Sequence, residues 1–192
     1  MPHMMSSGRG ARVGLCIAVV CALASAFAIG VSAKVGRRSV PDGARVSFKT
    51  ANNRYICSED AGADAQLYAE CTGTSPDAWF RIYDLTNSTL NDGDQVQITT
   101  WEDPDDLYLQ AAYGGDDALL AVDVDPPAEW ETFTLIDLDN PDGEVADGDR
   151  IALEAYYGVY YVVAQDGGGT GSLVYVTSTS IGTNETFNLV VH

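Results

Sequence analysis

Histidine is nearly missing from this chain: its 192 residues include two, His3 near the start and His192 at the end. No internal imidazole is on hand as a general base or metal ligand, and serine and aspartate without a positioned base do not make a hydrolytic triad. The expectation is a protein that is not an enzyme and has no cofactor. Basic residues are scarce as well, with 10 Lys and Arg against 28 Asp and Glu. Two of those basic residues, Arg9 and Arg12, precede residue 33 and every acid follows it, so the remainder carries a net charge of −20. A field of that sign repels nucleic acid and anionic membranes and favours a dispersed monomer. Of four cysteines, Cys16 and Cys21 lie early, which leaves Cys57 and Cys71. A CxxC redox motif is absent. Helical periodicity is almost absent too.

Long apolar runs are lacking, with one exception. "VGLCIAVVCALASAFAIG" (13–30) follows the two early arginines and ends in the small residues "VSA" (31–33). This three-part pattern reads as a secretory signal peptide, residues 1–33, although the run is long enough for an uncleaved anchor. The expectation is export of a single domain, 34–192, of ample length to bury one core. An exported cysteine pair is expected to be bridged. Cys57 and Cys71, fourteen apart in "CSEDAGADAQLYAEC", would tie two neighbouring strands.

What the chain has in abundance is a pattern repeated three times. Each copy opens on a turn and an alternating strand: "DGARVSFKT" (42–50), "DGDQVQITT" (92–100) and "DGDRIALEA" (147–155). Second strands follow at "RYICSED" (54–60), "LYLQAAY" (107–113) and "YYVVAQD" (160–166), with Tyr55, Tyr108 and Tyr161 in matching places suited to core or hairpin-lid packing. Third strands are "AQLYAEC" (65–71), "ALLAVDV" (118–124) and "SLVYVTS" (172–178). Fourth strands carry Phe80 and Ile82, Phe133 and Leu135, and Phe187 and Leu189. Strands of period two, grouped in fours, predict an all-β chain. None of the units 43–85, 93–138 and 148–191 can bury its apolar side alone. Packed about a pseudo-threefold axis, they form a β-trefoil, which also removes exposed sheet edges. A β-sandwich gives no reason for three copies, and a propeller wants at least four.

Three phrases carry a family resemblance: "RYICSEDAG", "WETFTLIDL" and "DGDRIALEAYYGVYYVVAQDGGG…IGTNETFNLV". They resemble the fascin-like branch of the β-trefoil superfamily, whose copies read as a strand, a "GKYV-A-D/E-GG" hairpin and a closing "WE-F-L" strand. The likeness spans nearly all of 34–192. It implies the fold more than an activity, because this fold hosts sugar binders, actin bundlers, inhibitors and toxin modules. Actin bundling does not fit, since actin is itself acidic and an exported chain does not meet it.

Binding is therefore the expected role, to a carbohydrate or a surface protein; the competing expectation is a structural or protein-interaction module of fascin-like fold with no small-molecule ligand. An aromatic ring can cover the apolar face of a sugar while carboxylates accept its hydroxyl hydrogens. Candidate groups are Trp101 with Glu102 and Asp103, Tyr113 beside Asp116 and Asp117, and Tyr156 with Tyr157 before a glycine. "WEDPDD" (101–106) stands first because it lengthens the second copy. The Q-x-W repeat of ricin-like trefoils is absent. Trp130 faces Asp77 and Asn184 in the other copies, so it reads as a cap on one barrel edge. The acidic runs "DPDD" (103–106), "DVD" (123–125) and "DLDNPDGEVADGD" (137–149) offer oxygen ligands but no EF-hand spacing, and are taken as solvated loops without metal. "NST" (87–89) and "NET" (184–186) are N-glycosylation sequons.

Overall fold

Alternation sets the architecture. Strands β1 (Ala44–Lys49), β6 (Gln95–Thr100) and β10 (Arg150–Ala155) open the three copies. They point Val46 and Phe48, Val96 and Ile98, and Ile151 and Leu153 inward, none more than 1 % exposed. The closing strands are β5 (Phe80–Asp84), β9 (Thr132–Asp137) and β13 (Phe187–Val191). These bury Phe80 with Ile82, Phe133 with Leu135, and Phe187 with Leu189. The six strands pair antiparallel in a closed circle: β1 with β5, β5 with β6, β6 with β9, β9 with β10, β10 with β13, and β13 with β1. Phe48 and Phe80 meet inside this barrel with ring centroids 5.7 Å apart.

Three hairpins make a lid on the barrel. They are β2 (Tyr55–Cys57) with β4 (Tyr68–Cys71), β7 (Tyr108–Ala111) with β8 (Asp117–Val122), and β11 (Tyr161–Ala164) with β12 (Val174–Ser178). A further two-residue strand, β3 (Ala65–Gln66), pairs with β8, so the expected third strand of the first copy is divided around Leu67. The division lets Leu67, fully buried, reach across to the second copy: its N–H donates to the Leu119 carbonyl at 3.0 Å. The chain is thus a β-trefoil, described in a computed structural model over residues 37–58, 65–73, 75–101, 107–122 and 126–192. The expected leader at 1–33, Glu102 and Asp103, and the runs "DPDD" and "DVD" lie outside those residues. Among the described residues no helix is long and apolar enough to cross a membrane.

Below each opening turn sits an element that the strand pattern did not announce. Val40, Leu90 and Val145 are fully buried. Their backbones form a ring: Val40 N–H donates to the Val145 carbonyl at 3.2 Å, Val145 N–H to Leu90 at 2.9 Å, and Leu90 N–H to Val40 at 3.1 Å. Each ring residue stands two positions before the aspartate of an aspartate–glycine turn. Those aspartates clamp the far end of a closing strand: Asp42 accepts from Asp84 N–H at 2.9 Å, Asp92 from Asp137 N–H at 2.7 Å, and Asp147 from Val191 N–H at 3.0 Å. Much of the acidity is therefore structural, since a carboxylate that accepts backbone N–H groups satisfies donors the barrel rim would leave bare.

The run 137–149 behaves likewise. Asp137 accepts from the N–H groups of Asp139 and Asn140. Asp139 pairs with Arg150 at 2.8 Å, and Asp149 accepts from Ala146 N–H. Among the described residues no three His, Cys, Asp or Glu groups are arranged to hold a metal ion.

Cys57 and Cys71 form a disulfide with Cα atoms 6.0 Å apart, joining β2 to β4. Tyr55, Tyr108 and Tyr161 are half-buried at the hairpin bases rather than in the core, opposite Lys49, Thr99 and Glu154. Burial and the hydrogen bond to Glu154 push the Tyr161 hydroxyl above its ordinary range.

Candidate functional site

The described residues place the candidate aromatics in two separate groups. Trp101, just past β6, belongs to a ladder of stacked rings and guanidinium groups. Arg45 lies 4.5 Å from the Trp79 ring and 5.1 Å from the Trp101 ring, and Arg81 lies 4.6 Å from Trp101. His192 extends the stack, 5.6 Å from Trp79 and 2.8 Å from the Ser47 hydroxyl. Burial and the charge on Arg45 hold the His192 imidazole below its ordinary range. Arg45 and Arg81 are direct cross-strand partners on β1 and β5, a like-charge arrangement that repels. The negative faces of the two indoles offset that repulsion. Trp101 thus stacks with arginines of its own barrel.

The second group holds Tyr113, Tyr156 and Tyr157 together with a residue the sequence left in a lesser role, Trp130. Tyr113 lies in the tight turn between β7 and β8, Trp130 in the short 3-10 turn Glu129–Glu131 before β9, and Tyr156–Tyr157 in the turn after β10. The Tyr113 and Trp130 rings meet edge to face at 6.2 Å, and Tyr156 and Tyr157 do so at 5.6 Å. Gly114 joins the pairs: a Cβ there would lie 2.5 Å from the Tyr157 ring and 3.4 Å from the Trp130 indole nitrogen. The four rings form one strip along the seam between the second and third copies. All are exposed, Tyr113 at 78 %.

The pseudo-threefold axis supplies an internal control for this strip. Laying copy upon copy puts Tyr113 opposite Asp166, Trp130 opposite Asn184, Tyr156 opposite Ala51 and Tyr157 opposite Asn52. Those four stand at the seam between the third and first copies, which closes equally well: Asn52 donates to the carbonyls of Asp166 and Gly168, both at 2.9 Å. The fold therefore closes a seam with no aromatic residue at these four positions. Tyr113 is moreover in the left-handed region, with φ of 54°, as Asp166 is with 53°. Aspartate tolerates that conformation, whereas a tyrosine held there is strained and points to a role outside stability. Overlaying "AAYGG" (111–115) on "AQDGG" (164–168) is the sequence signal for this strain.

Tyr113→Asn should leave stability unchanged or raise it by up to about 1 kcal/mol, because asparagine accepts positive φ. Urea unfolding of the variant against the parent protein measures this. A loss of more than about 1 kcal/mol would mean that the ring is structural.

Beside the strip lies an open recess of about 450 Å³ lined by Gln110, Pro126, Ala128, Glu129, Trp130 and Glu131. Glu131, 3 % exposed, accepts from the Ala128 N–H at 2.7 Å and from the Gln110 amide. Its counterpart Glu185 accepts from Gly182 N–H at 2.8 Å, so this carboxylate clasps the turn in both copies. Thr132 and Thr186 complete the clasp on the Ala128 and Gly182 carbonyls. Glu129 has no such duty. It is exposed, with one carboxylate oxygen 3.4 Å from the Tyr157 hydroxyl.

Barrel, lid and seam define a β-trefoil whose three copies share a skeleton and differ in their seams. No protein-family model matches the chain, and no curated protein matches it. Solved structures do. The chain is similar to a designed threefold-symmetric protein, ThreeFoil, at 18 % identity and TM-score 0.60, over 76 % of this chain and 97 % of that one. It is also similar to a Caenorhabditis elegans protein of unknown function at 15 % identity and TM-score 0.62, over 79 % and 96 %. A third likeness is to the SDF2-like protein of Arabidopsis thaliana at 10 % identity and TM-score 0.62, over 80 % and 95 %. At such identities the likeness is one of fold.

Proposed function

We propose that this chain is an exported, non-catalytic binding module that recognises carbohydrate through the strip Tyr113–Trp130–Tyr156–Tyr157. The observation that carries the reading is the symmetry control: four exposed aromatics, one of them strained, occupy positions that the seam between the third and first copies fills with Asp, Asn, Ala and Asn. Exposed rings present flat apolar faces, and Glu129, Asp116 and Asp117 supply exposed hydrogen-bond acceptors nearby in the chain. Trp101 is the weaker platform, because Arg45 and Arg81 already lie against its ring. The non-catalytic reading is supported by the two histidines, of which His192 is engaged by Ser47 and Trp79.

A glycan array on the protein and on Trp130→Asn tests this. Asparagine already stands at the equivalent position, so the variant keeps its fold. Binding is expected to fall about five- to thirtyfold, the loss of one stacking contact of about 1–2 kcal/mol. Glycan binding unchanged by the substitution would sink the site. A protein partner is the second reading, favoured by Val159, which is 49 % exposed beside the Tyr156–Tyr157 turn and adds aliphatic surface. In that case the array is blank, and one protein is captured by the parent but not by Trp130→Asn.

A further inference from the structure

Resting on the carbohydrate reading, we propose that the strip selects a cationic saccharide, an amino sugar with its amine free and protonated, over N-acetylated and acidic sugars. Three observations converge on positive charge. First, between Arg81 and Arg150 the chain has no lysine or arginine and 19 acids, and three of the recess-lining or strip segments lie there. Second, the described residues lining the recess beside the Trp130 indole include two carboxylates and no cation. Glu131 is almost fully buried there, and Gln110, which stands where the third copy has Val163, turns its amide N–H to that carboxylate. Third, Glu129 stands where the third copy has Thr183, is not used by the turn clasp, and faces the Tyr157 hydroxyl from the edge of the strip.

An ammonium group placed over Trp130 is attracted by the negative face of the indole and by Glu129 together. Acetylating the amine removes both attractions and adds bulk. A uronic acid would bring a like charge into a carboxylate-lined recess that offers it no partner. The same aromatic faces without Glu129 and the surrounding acids would take neutral sugars equally well, so it is the charge that makes the choice. The cationic ladder at Arg45 and Arg81 belongs to other strands, β1 and β5, and is no part of this lining.

The test is calorimetric titration of the protein with three oligosaccharides of equal length: glucosamine, N-acetylglucosamine and glucuronate. The buffer is mildly acidic, so that the amine is protonated and exposed carboxylates are ionised. The free-amine form is expected to bind about tenfold more tightly than the N-acetylated form, and the uronate not measurably. Raising salt should narrow the ratio. Glu129→Gln should bring it close to one while N-acetylglucosamine binding persists, and Trp130→Asn should remove both. If the N-acetylated form binds as tightly as the free amine and Trp130→Asn still abolishes it, the charge selection is wrong and the carbohydrate site stands. If no saccharide binds, both readings fall. Free-amine binding that survives Trp130→Asn is unspecific attraction to an acidic surface and overturns the selection as well.

Discussion

Phe133→Ala is expected to lower the unfolding free energy by about 3–5 kcal/mol, the range for truncating a fully enclosed aromatic side chain. Phe133 is 1 % exposed on β9 and is held from both sides, opposite Val96 on β6 and Ala155 on β10. Its counterparts Phe80 and Phe187 are fully buried at the same level of the barrel, so the surroundings are braced by equivalent rings and cannot collapse into the space. A domain of this size has about 5–15 kcal/mol in all, so the variant should unfold at much lower urea with an unchanged slope. Trp130→Asn, three residues away in the chain, should stay within about 1 kcal/mol of the parent protein. Equal losses for the two would contradict the placing of Phe133 in the core and of Trp130 on the surface.

The other large effect is expected at a glycine. Gly168 has φ of 90° and ψ of 147°, a region closed to side-chain-bearing residues. A Cβ there would sit 2.5 Å from the Thr50 hydroxyl oxygen and 2.9 Å from the Ala69 backbone carbonyl. Thr50 could rotate away, but the Ala69 carbonyl already accepts the Gly169 N–H at 3.0 Å. Gly168→Ala should therefore cost about 2–4 kcal/mol, combining backbone strain with steric overlap at the seam between third and first copies. Gly148→Ala is the matched comparison: φ is 82° but nothing lies within 4 Å of the added carbon, so only the left-handed conformation is penalised, about 1–2 kcal/mol. Thermal or urea unfolding of the two variants side by side measures how much the closed backbone region and the crowding at Gly168 add to an ordinary left-handed penalty. A Gly148 variant as weak as the Gly168 one would show that crowding at the seam contributes little.

These positions also mark what the sequence makes legible. The strand pattern reveals the barrel because burial alternates at Val46 and Phe48 and recurs at fixed spacing through Phe80, Phe133 and Phe187. Val40, Leu90 and Val145 escape that pattern, since each is a single apolar residue ahead of a turn and its bonds are backbone bonds to other copies. Their regular place before aspartate–glycine becomes informative only once three copies are aligned. The surroundings of Trp101 are not legible at all locally: Arg45 and Arg81 reach it from strands β1 and β5, and cross-strand register decides the meeting. The strip is half legible. Tyr113 and the Tyr156–Tyr157 pair stand out by residue type, but Trp130 joins them through the closeness of Gly114, which is a matter of three dimensions.

The ring of Val40, Leu90 and Val145 has a mechanical consequence. Val40 stands just before β1, and His192 follows β13, whose Val191 lies opposite Val46. A force applied at the two ends of this domain therefore enters at the same corner of the barrel. It bears first on the Val40 bonds and on the bond from His192 N–H to the Arg45 carbonyl. From there the β1–β13 ladder is loaded as a zipper, one pair at a time, rather than in shear. Under tension the domain is therefore expected to open from the corner where β1 begins and β13 ends.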